Sequence, residues 1–337
     1  MRSLKHALGA LYGLAIGDAL GMPTQSLPRT TIVARYGHLI TQFYPGSPDH
    51  PIVPGLPGGT VTDDTEQALL LANLLVQSHG SPDVKVLAEK LIEWENDMQR
   101  RGSHDLLGPS TKSALASLQS GQDAKVAGRF GTTNGAAMRI APVGIASPIG
   151  DLTRLVDNVE RVSHLTHNTG LALAGAAAIA AAVSAGIEAY NTEDATKAAI
   201  QAAEIAGQRG YWVAGADIAT RIRWAMDVML SPSKSGQDPA TIIDHLIGTS
   251  LMAQESIPAA FAVLTVHPRE PWKACQLAAS LGGDTDTIAS MAGAMGGALC
   301  GVDAFPEWAR NQVTLVNQLS LEPLAQSLLD LRKKTAP

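Results

Sequence analysis

Apolar residues recur every three to four positions along most of the chain, whereas runs that alternate β-branched and polar residues are nearly absent. This spacing places apolar side chains on one face of a helix and predicts α-helices instead of strands. Asp194 and the Asp238-Pro239 pair also favour helix starts. The predicted helices cover residues 4–19, 64–77, 83–99, 110–118, 152–166, 169–189, 193–206, 216–229, 239–250, 254–267, 271–280, 287–300, 306–316 and 325–334. The pattern therefore predicts an all-α protein.

Residues 170–187 are the most apolar segment, with Ser184 as almost the only polar residue. Because the segment is mostly Ala and Gly, it suits a buried helix better than a membrane span. The N-terminal apolar run follows Arg2 and Lys5 in the manner of a signal peptide. Glycines interrupt that run, and it ends at Asp18 without a cleavage site. We therefore expect a soluble protein.

Residues 21–60 are the one long stretch without helical periodicity, and they are rich in Pro and Gly. The stretch contains the aromatic residues Tyr36, Phe43 and Tyr44. A loop of this length in a compact domain is more often a functional lid than a linker. No internal repeat or strong domain boundary is present, so we expect one domain that spans residues 1–337.

Composition narrows the classes of function. The 337-residue chain is 45% hydrophobic, 17% charged and 4% aromatic, so its core must consist mainly of aliphatic residues and Met. The net charge of −6 offers no basic face for nucleic acid. Cys275 and Cys300 give no disulfide framework and fit a reducing compartment. We therefore expect a cytoplasmic protein without a nucleic-acid or membrane partner.

Two acidic clusters, far apart in the sequence, carry the candidate chemistry. One is TDDTE at residues 62–66, and the other is GGDTDT at residues 282–287. Their carboxylate and hydroxyl oxygens suit hard cations such as Mg²⁺ or Mn²⁺, and the lack of His and Cys disfavours zinc. The shared composition indicates two halves of one metal site.

Helix capping is the alternative explanation of both clusters. Asp63 and Glu66 have the spacing of a capping box, and Asp284 or Asp286 is placed to cap a helix that begins near Thr287. A cap, however, uses one acceptor, and each cluster offers several. Because carboxylates this dense destabilise a fold unless a cation compensates them, the pair of clusters favours a metal site.

Five segments together resemble the ADP-ribosylglycohydrolase family. They are GALYGLAIGDALGMPTQ (residues 9–25), GGTVTDDTEQALLLA (58–72), GTTNGAAMRIAPVG (131–144), THNTGLALAGA (166–176) and GGDTDTIASMAGAMGGALCG (282–301). The resemblance rests on their conjunction, since each segment alone is unspecific. It implies a single compact, orthogonal bundle of many helices.

The resemblance also implies two divalent cations, Mg²⁺ or Mn²⁺, held by the acidic clusters. Carried over position by position, the metal ligands are Thr62, Asp63, Asp64, Asp284, Asp286 and Thr287. Four carboxylates balance the charge of two such ions, which can orient ribose hydroxyls and position a water. A neighbouring carboxylate can then act as base, and we expect Asp64, or else Asp63, in this catalytic role.

Substrate contacts are implied in residues 131–138, which by resemblance cradle the diphosphate and distal ribose of ADP-ribose. Glycines and free backbone N–H groups suit that role, and a tight turn between helices is the alternative. The candidate contacts in this segment are Gly131, Thr133, Asn134, Gly135 and Met138.

His167 and Asp18 are further candidate substrate contacts. His167 lies between predicted helices, where a capping or core hydrogen bond is the alternative. Asp18 lies near a helix C-terminus, where a carboxylate opposes the helix dipole. That misfit indicates a role in the site or in support of the metal ligands.

Gln25 departs from the family pattern, in which many members carry Glu after the Gly-Asp-Ala-Leu-Gly motif. In some members that acid is thought to gate the site or assist catalysis. Glutamine hydrogen-bonds but exchanges no proton near neutral pH. We expect residues 21–60 to fold over the metal site and place Gln25 near the scissile bond, where it orients the substrate.

Three functions follow from these residues. The preferred one is a metal-dependent N-glycosidic hydrolase that releases ADP-ribose from a modified side chain, with arginine as candidate, or from a small molecule. The second is a nucleosidase that acts on a smaller N-riboside, which Gln25 and the lack of a basic docking face keep open. The third is a non-catalytic, crystallin-like or ADP-ribose-binding protein, which the two intact carboxylate clusters disfavour.

Overall fold

Helices make up nearly all of the regular structure, as the spacing of apolar residues predicts. The computed structural model describes residues 2–100, 107–231 and 236–335. Its α-helices are α1 (Arg2–Gly21), α2 (Arg29–Tyr36), α3 (Asp63–Gln77), α4 (Val84–Arg100), α5 (Pro109–Gln119), α6 (Ala124–Ala127), α7 (Gly135–Met138), α8 (Ala141–Ala146), α9 (Leu152–Ser163), α10 (Gly170–Ile187), α11 (Thr192–Gly207), α12 (Ile218–Leu230), α13 (Pro239–Ile242), α14 (Ala253–Val266), α15 (Pro271–Ala278), α16 (Thr285–Cys300), α17 (Glu307–Asn317) and α18 (Leu321–Thr335). Within the three described ranges there is no β-strand, so the all-α prediction is confirmed.

Glycines let α1 and α16 pack backbone against backbone. A Cβ atom added at Gly13 would lie 2.0 Å from the carbonyl oxygen of Gly293, a distance that admits no side chain. The two helices run in opposite directions, and a Cβ added at Gly21 would lie 2.4 Å from the Cα of Asp286. This pairing brings the C-terminal end of α1, with Asp18, beside the second acidic cluster.

Helix α10 lies in the main core and packs against α7, α8, α9, α11, α14 and α16. It has 18 residues and a mean hydropathy of 1.9, enough by length and composition to cross a membrane, but 94% of it is buried inside the protein. Its alanines and glycines leave room for close neighbours on every side. The prediction of a buried core helix at this position is confirmed.

The structure corrects the prediction that residues 21–60 are wholly irregular. They contain a 3₁₀ turn at Met22–Thr24 and helix α2, which follows Pro28 and ends at Gly37. The φ of 88° at Gly37 is one that Gly adopts readily, which explains the stop. The sequence pattern missed α2 because it has eight residues and buries only Ile32. Residues 37–62 contain no helix.

The other differences between the predicted and the observed helices concern short helices and helix ends. Helices α6, α7 and α8 have four, four and six residues, too few to display a helical period. In place of the predicted helix 239–250, the structure has the short helix α13, which a π-helical turn, Ile243–Ile247, follows directly. The predicted helix 152–166 ends at Ser163, which leaves the Thr166 side chain outside the helix. Helix α18 starts at Leu321, four positions before the predicted start, because Pro323 fits within its first turn.

Candidate active site

The two acidic clusters meet at the N-terminal ends of α3 and α16. Asp63 and Asp64 lie in the first turn of α3, and Asp286 and Thr287 lie in the first turn of α16. The Thr287 hydroxyl donates to the Asp64 carboxylate (Oγ1–Oδ2, 3.3 Å), although 223 positions separate these residues. Both helix ends favour negative charge, because their first backbone N–H groups have no partner within the helix.

Helix capping does not account for these clusters. Thr62 and Asp284 occupy the N-cap positions of α3 and α16, and neither side chain makes a capping hydrogen bond. Glu66, which has the capping-box spacing, instead accepts a hydrogen bond from Trp94 Nε1 (2.5 Å). The carboxylates are therefore available for another task.

Asp18 supports the first cluster from beneath. Its fully buried carboxylate accepts hydrogen bonds from the hydroxyl groups of Thr62 (2.7 Å) and Thr65 (2.6 Å) and from both backbone N–H groups. Burial raises the pKa of Asp18 to about 6, against the lowering effect of these four donors. The N-terminal end of α3 thus compensates the carboxylate at the end of α1. Thr62 and Thr65 thus occupy the oxygens of Asp18, and the expected contact of Asp18 with the substrate stays a prediction.

A cavity of about 410 Å³ adjoins the acidic clusters, a volume that suits a small organic ligand. Five predicted site residues lie behind its wall: Asp18, Thr62, Asp64, Gly131 and His167. Nine predicted site residues line it: Gln25, Asp63, Thr133, Asn134, Gly135, Met138, Asp284, Asp286 and Thr287.

Sequence reasoning missed part of the wall and one supporting residue. The missed wall residues are Ser26, Ile52, Leu107, Gly108, Pro109, Thr111, Lys112 and Leu251. Most of them are aliphatic residues, Gly or Pro, which in a sequence do not indicate a binding site. Ser290 was also missed, and its hydroxyl donates to Asp64 Oδ1 at 2.6 Å. Its position three residues after Thr287 places it on the same helix face, so spacing could have found it.

Three buried carboxylates, those of Asp63, Asp284 and Asp286, line one corner of the cavity, and that of Asp64 lies behind it. Burial raises the pKa values of Asp63, Asp64 and Asp286 well above their usual range, and repulsion from neighbouring carboxylates raises them further. Burial also raises the pKa of Asp284 to about 6, although the Asn134 amide donates to it at 2.5 Å. Among the described residues, no three His, Cys, Asp or Glu side chains already surround one point as metal ligands. The corner nevertheless offers several carboxylate oxygens, and a cationic ligand bound there would favour their ionised forms.

Residues 131–138 contribute Thr133, Asn134, Gly135 and Met138 to the cavity wall. An isolated antiparallel bridge joins Thr133 to Met252. The backbone N–H groups of Gly131, Asn134 and Met138 donate to protein carbonyl groups, and the expected contact of this segment with a diphosphate stays a prediction. The Asn134 side chain also donates to Asp284, so this segment is fastened to the acidic corner.

Residues 21–60 contribute Gln25, Ser26 and Ile52 to the cavity wall. Gln25 is 7% exposed, and its amide nitrogen has no hydrogen-bond partner among the described residues. His50 fastens the segment, because its Nδ1 accepts from the backbone N–H groups of Ile52 and Val53. Its Nε2 is therefore left to donate to the Gln25 carbonyl oxygen, 3.0 Å away.

The aromatic residues of this segment lie away from the cavity. Phe43 packs edge-on against Trp272 of α15 and Trp308 of α17. Tyr36 and Tyr44 pair with each other, with ring centroids 4.8 Å apart. The Phe43 ring thus packs the segment against α15 and α17. The lid over the site stays a prediction.

Comparisons with known proteins agree with this fold. The family model described as ADP-ribosylglycohydrolase matches residues 1–337. An uncharacterized protein of Escherichia coli, YegU, is 33% identical and covers 98% of each chain. An ADP-ribosylarginine hydrolase of Pseudomonas putida is 27% identical over 98% of this chain and 79% of its own. A solved structure described as an ADP-ribosylglycohydrolase-related protein complex matches with a TM-score of 0.71 at 24% identity, covering 98% of this chain and 99% of that one.

The chain therefore belongs to the ADP-ribosylglycohydrolase family. It is an enzyme that hydrolyses glycosidic bonds.

Proposed function

We propose that this enzyme releases ADP-ribose by hydrolysing the N-glycosidic bond of an ADP-ribosylated side chain or small molecule. The observation that carries the proposal is the cavity wall, where Asp63, Asp284 and Asp286 lie beside the polar residues Thr133 and Asn134. Glycosidic bonds break through a cationic sugar, which nearby carboxylates stabilise. Arginine is the candidate acceptor, supported by the name of the Pseudomonas putida relative.

The oxygen donor atoms of the acidic corner suit two divalent cations, Mg²⁺ or Mn²⁺. Hydroxyl and carboxylate oxygens are the ligands that such cations prefer, and buried like charges require a positive counter-charge. Bound there, the cations would supply a polarised water and fixed positions for the ribose hydroxyls. The proposed metal ligands are Thr62, Asp63, Asp64, Asp284, Asp286 and Thr287.

The geometry favours Asp63 over Asp64 as the base, which reverses the order expected from the resemblance. Asp63 lines the cavity, whereas Asp64 is 1% exposed and accepts hydrogen bonds from Ser290 and Thr287. A base must reach the proton that it takes from water, and a carboxylate on the wall is better placed to do so than one behind it. Asp64 then links α3 to α16 through its hydrogen bonds from Thr287 and Ser290.

Product analysis tests the proposal. Protein stripped of metal by a chelator is incubated with an ADP-ribosylated arginine peptide, with free ADP-ribosylarginine, and with adenosine as a smaller N-riboside. Each reaction is run with and without added Mg²⁺ or Mn²⁺. We expect free ADP-ribose from the first two substrates only after a cation is added.

Two variants make the test specific to this cavity. Asp63→Asn is expected to abolish release, because the amide cannot take a proton. Asp303→Asn is the matched control, since Asp303 is exposed and pairs with Lys5 far from the cavity wall. Cleavage of adenosine alone would instead favour the nucleosidase. No cleavage of any substrate with either cation, or an Asp63→Asn variant of undiminished rate, would refute the proposal.

A further inference from the structure

A chain of buried polar side chains runs from Arg139 to the cavity wall. Arg139 Nη2 donates to Thr166 Oγ1 at 2.6 Å, and Thr166 Oγ1 lies 2.7 Å from His167 Nδ1. His167 Nε2 in turn lies 3.0 Å from Thr133 Oγ1. Arg139, Thr166 and His167 are at most 1% exposed, and Thr133 lines the cavity. The chain thus connects a buried cation to the surface that a ligand contacts.

The guanidinium group fixes the direction of the first hydrogen bonds. It has donors but no acceptor, and burial lowers the pKa of Arg139 only to about 10, so it stays charged at neutral pH. Thr166 Oγ1 must therefore accept from Arg139, and its single proton is directed to His167 Nδ1. If Nδ1 carried a proton instead, the Thr166 hydroxyl would be a buried donor without an acceptor, which is costly.

The direction of the hydrogen bond between His167 and Thr133, at the cavity end of the chain, follows in the same way. Burial lowers the pKa of His167 well below its usual value, so the ring is neutral. With Nδ1 as acceptor, the one ring proton is on Nε2 and is donated to Thr133 Oγ1. Thr133 Oγ1 has no second hydrogen-bond partner among the described residues. Its own proton is therefore available to a molecule in the cavity.

Close packing holds the ring in this arrangement. A Cβ atom added at Gly135 would lie 2.9 Å from His167 Cε1 and 3.1 Å from Nε2. The ring is thus seated against the Gly135 backbone, with one nitrogen bonded to Thr166 and the other to Thr133. This contact explains why a glycine occupies the first residue of α7, where any side chain would displace the ring.

We infer that Arg139 is a positioning residue that, through Thr166 and His167, makes Thr133 an obligatory hydrogen-bond donor to the ligand. Such a donor selects a ligand atom that can only accept, and the anionic oxygens of a phosphate group have this property. The inference rests on the proposed function, in which the diphosphate of ADP-ribose supplies these oxygens. It also assigns His167 a role through Thr133 in place of direct contact with the substrate.

The tautomer of His167 in the ligand-free protein tests the inference without a ligand. We expect ¹⁵N–¹H correlation spectra of the histidine ring to show the proton on Nε2 in the wild type. Thr166→Val can neither accept from Arg139 nor donate to His167, so it is expected to shift the population toward Nδ1–H. Thr166→Ser should restore the wild-type spectrum.

Thr196→Val is the matched control, because it removes a buried threonine hydroxyl on α11 that bonds only locally, to the Thr192 carbonyl. Its His167 signals should be those of the wild type. A wild-type ring protonated on Nδ1, or an unchanged ring in Thr166→Val, would overturn the inference. The wild-type spectrum needs no variant and decides the point even if Thr166→Val does not fold.

Calorimetric titration with ADP-ribose and with adenosine completes the test. Thr166→Val and Thr133→Val should each weaken ADP-ribose binding by about tenfold or more, the effect of a lost hydrogen bond to a charged group, and weaken adenosine binding far less. The double variant should bind no more weakly than Thr133→Val, because Thr166 acts through Thr133. Additive losses would overturn the inference and leave the proposed function intact. A wild type that binds adenosine but not ADP-ribose would overturn the proposed function and the phosphate assignment together.

Discussion

Replacing Asp286 with asparagine is expected to stabilise the metal-free protein while it abolishes activity. Asp286 is 3% exposed, and the carboxylates of Asp284, Asp18 and Asp63 repel its charge. Its carboxylate accepts a hydrogen bond from the backbone N–H of Thr287 (3.0 Å), which an asparagine oxygen can accept equally well. The substitution therefore removes a repelled charge without removing this bond.

The expected gain follows from Coulomb's law. Two unit charges about 5 Å apart repel by ~3 kcal/mol at an effective dielectric constant near 20. Protonation of neighbouring carboxylates relieves part of this repulsion, so we expect a net stabilisation of about 1–3 kcal/mol at pH 7.5. For a chain of this size, whose unfolding entropy is roughly 0.7 kcal/mol/K, that corresponds to a Tm increase of about 1.5–4 °C.

The stability difference between the Asp286→Asn variant and the wild type should increase with pH. Folding raises the pKa of Asp286, so the folded state binds its proton more tightly than the unfolded state does. The stability of the wild type is therefore retained below the unfolded pKa and lost as the pH rises through the folded value. The variant lacks this titration. Its Tm should match that of the wild type near pH 4 and exceed it by pH 7.5.

Calorimetry in a chelating buffer measures this difference, with Asp303→Asn as the exposed control that should change Tm little. At a hundred times the Kd, Mn²⁺ should stabilise the wild type by about 2.7 kcal/mol for each cation site, and the variant much less, because one ligand charge is missing. ADP-ribose release should be lost in parallel. A lower Tm of the metal-free variant at pH 7.5, or an equal gain at both pH values, would refute the reasoning.

Three further substitutions test other parts of the structure. Gln25→Ala should slow turnover by roughly tenfold to hundredfold and leave the shape of the pH–rate profile unchanged, since no titrating group is lost; a shifted limb would contradict this. Gly293→Ala should destabilise the fold by about 3 kcal/mol or more, because its Cβ would meet the Gly13 carbonyl oxygen at 2.0 Å, whereas Gly150→Ala, with no atom within 4 Å, should be near neutral by denaturant titration. His50→Ala should speed proteolysis between residues 37 and 62, because the bonds of that ring to Gln25 and to the loop backbone are lost; an unchanged cleavage rate would contradict the fastening role.

Features that depend on neighbours along the chain were predictable. The unbroken apolar composition of residues 170–187 identified the buried helix α10. The repeated Thr and Asp composition linked two clusters that the structure indeed brings into contact through Thr287 and Asp64. In both cases each short segment by itself shows the property that identifies it, which is apolar surface for α10 and charge density for each acidic cluster.

Other features, which depend on contacts between distant segments without a shared composition, were not predictable from one sequence. Asp18 acts beneath α3 because the glycine contact of α1 with α16 places it there. Arg139 has no sequence context that marks it, and its role depends on a turn after α9 that leaves Thr166 outside the helix. The apolar wall residues near Leu107 and Leu251 carry no chemistry of their own. Each of these roles comes from tertiary packing.

A crystal structure of the protein with Mn²⁺ and ADP-ribose tests the central claim most directly. We expect two anomalous-scattering peaks between the N-terminal ends of α3 and α16, each about 2.0–2.6 Å from oxygens of the two acidic clusters. ADP-ribose density should extend from these peaks to Thr133. Mn²⁺ peaks away from the clusters, or ADP-ribose bound in a different cavity, would contradict the claim that this cavity is the active site.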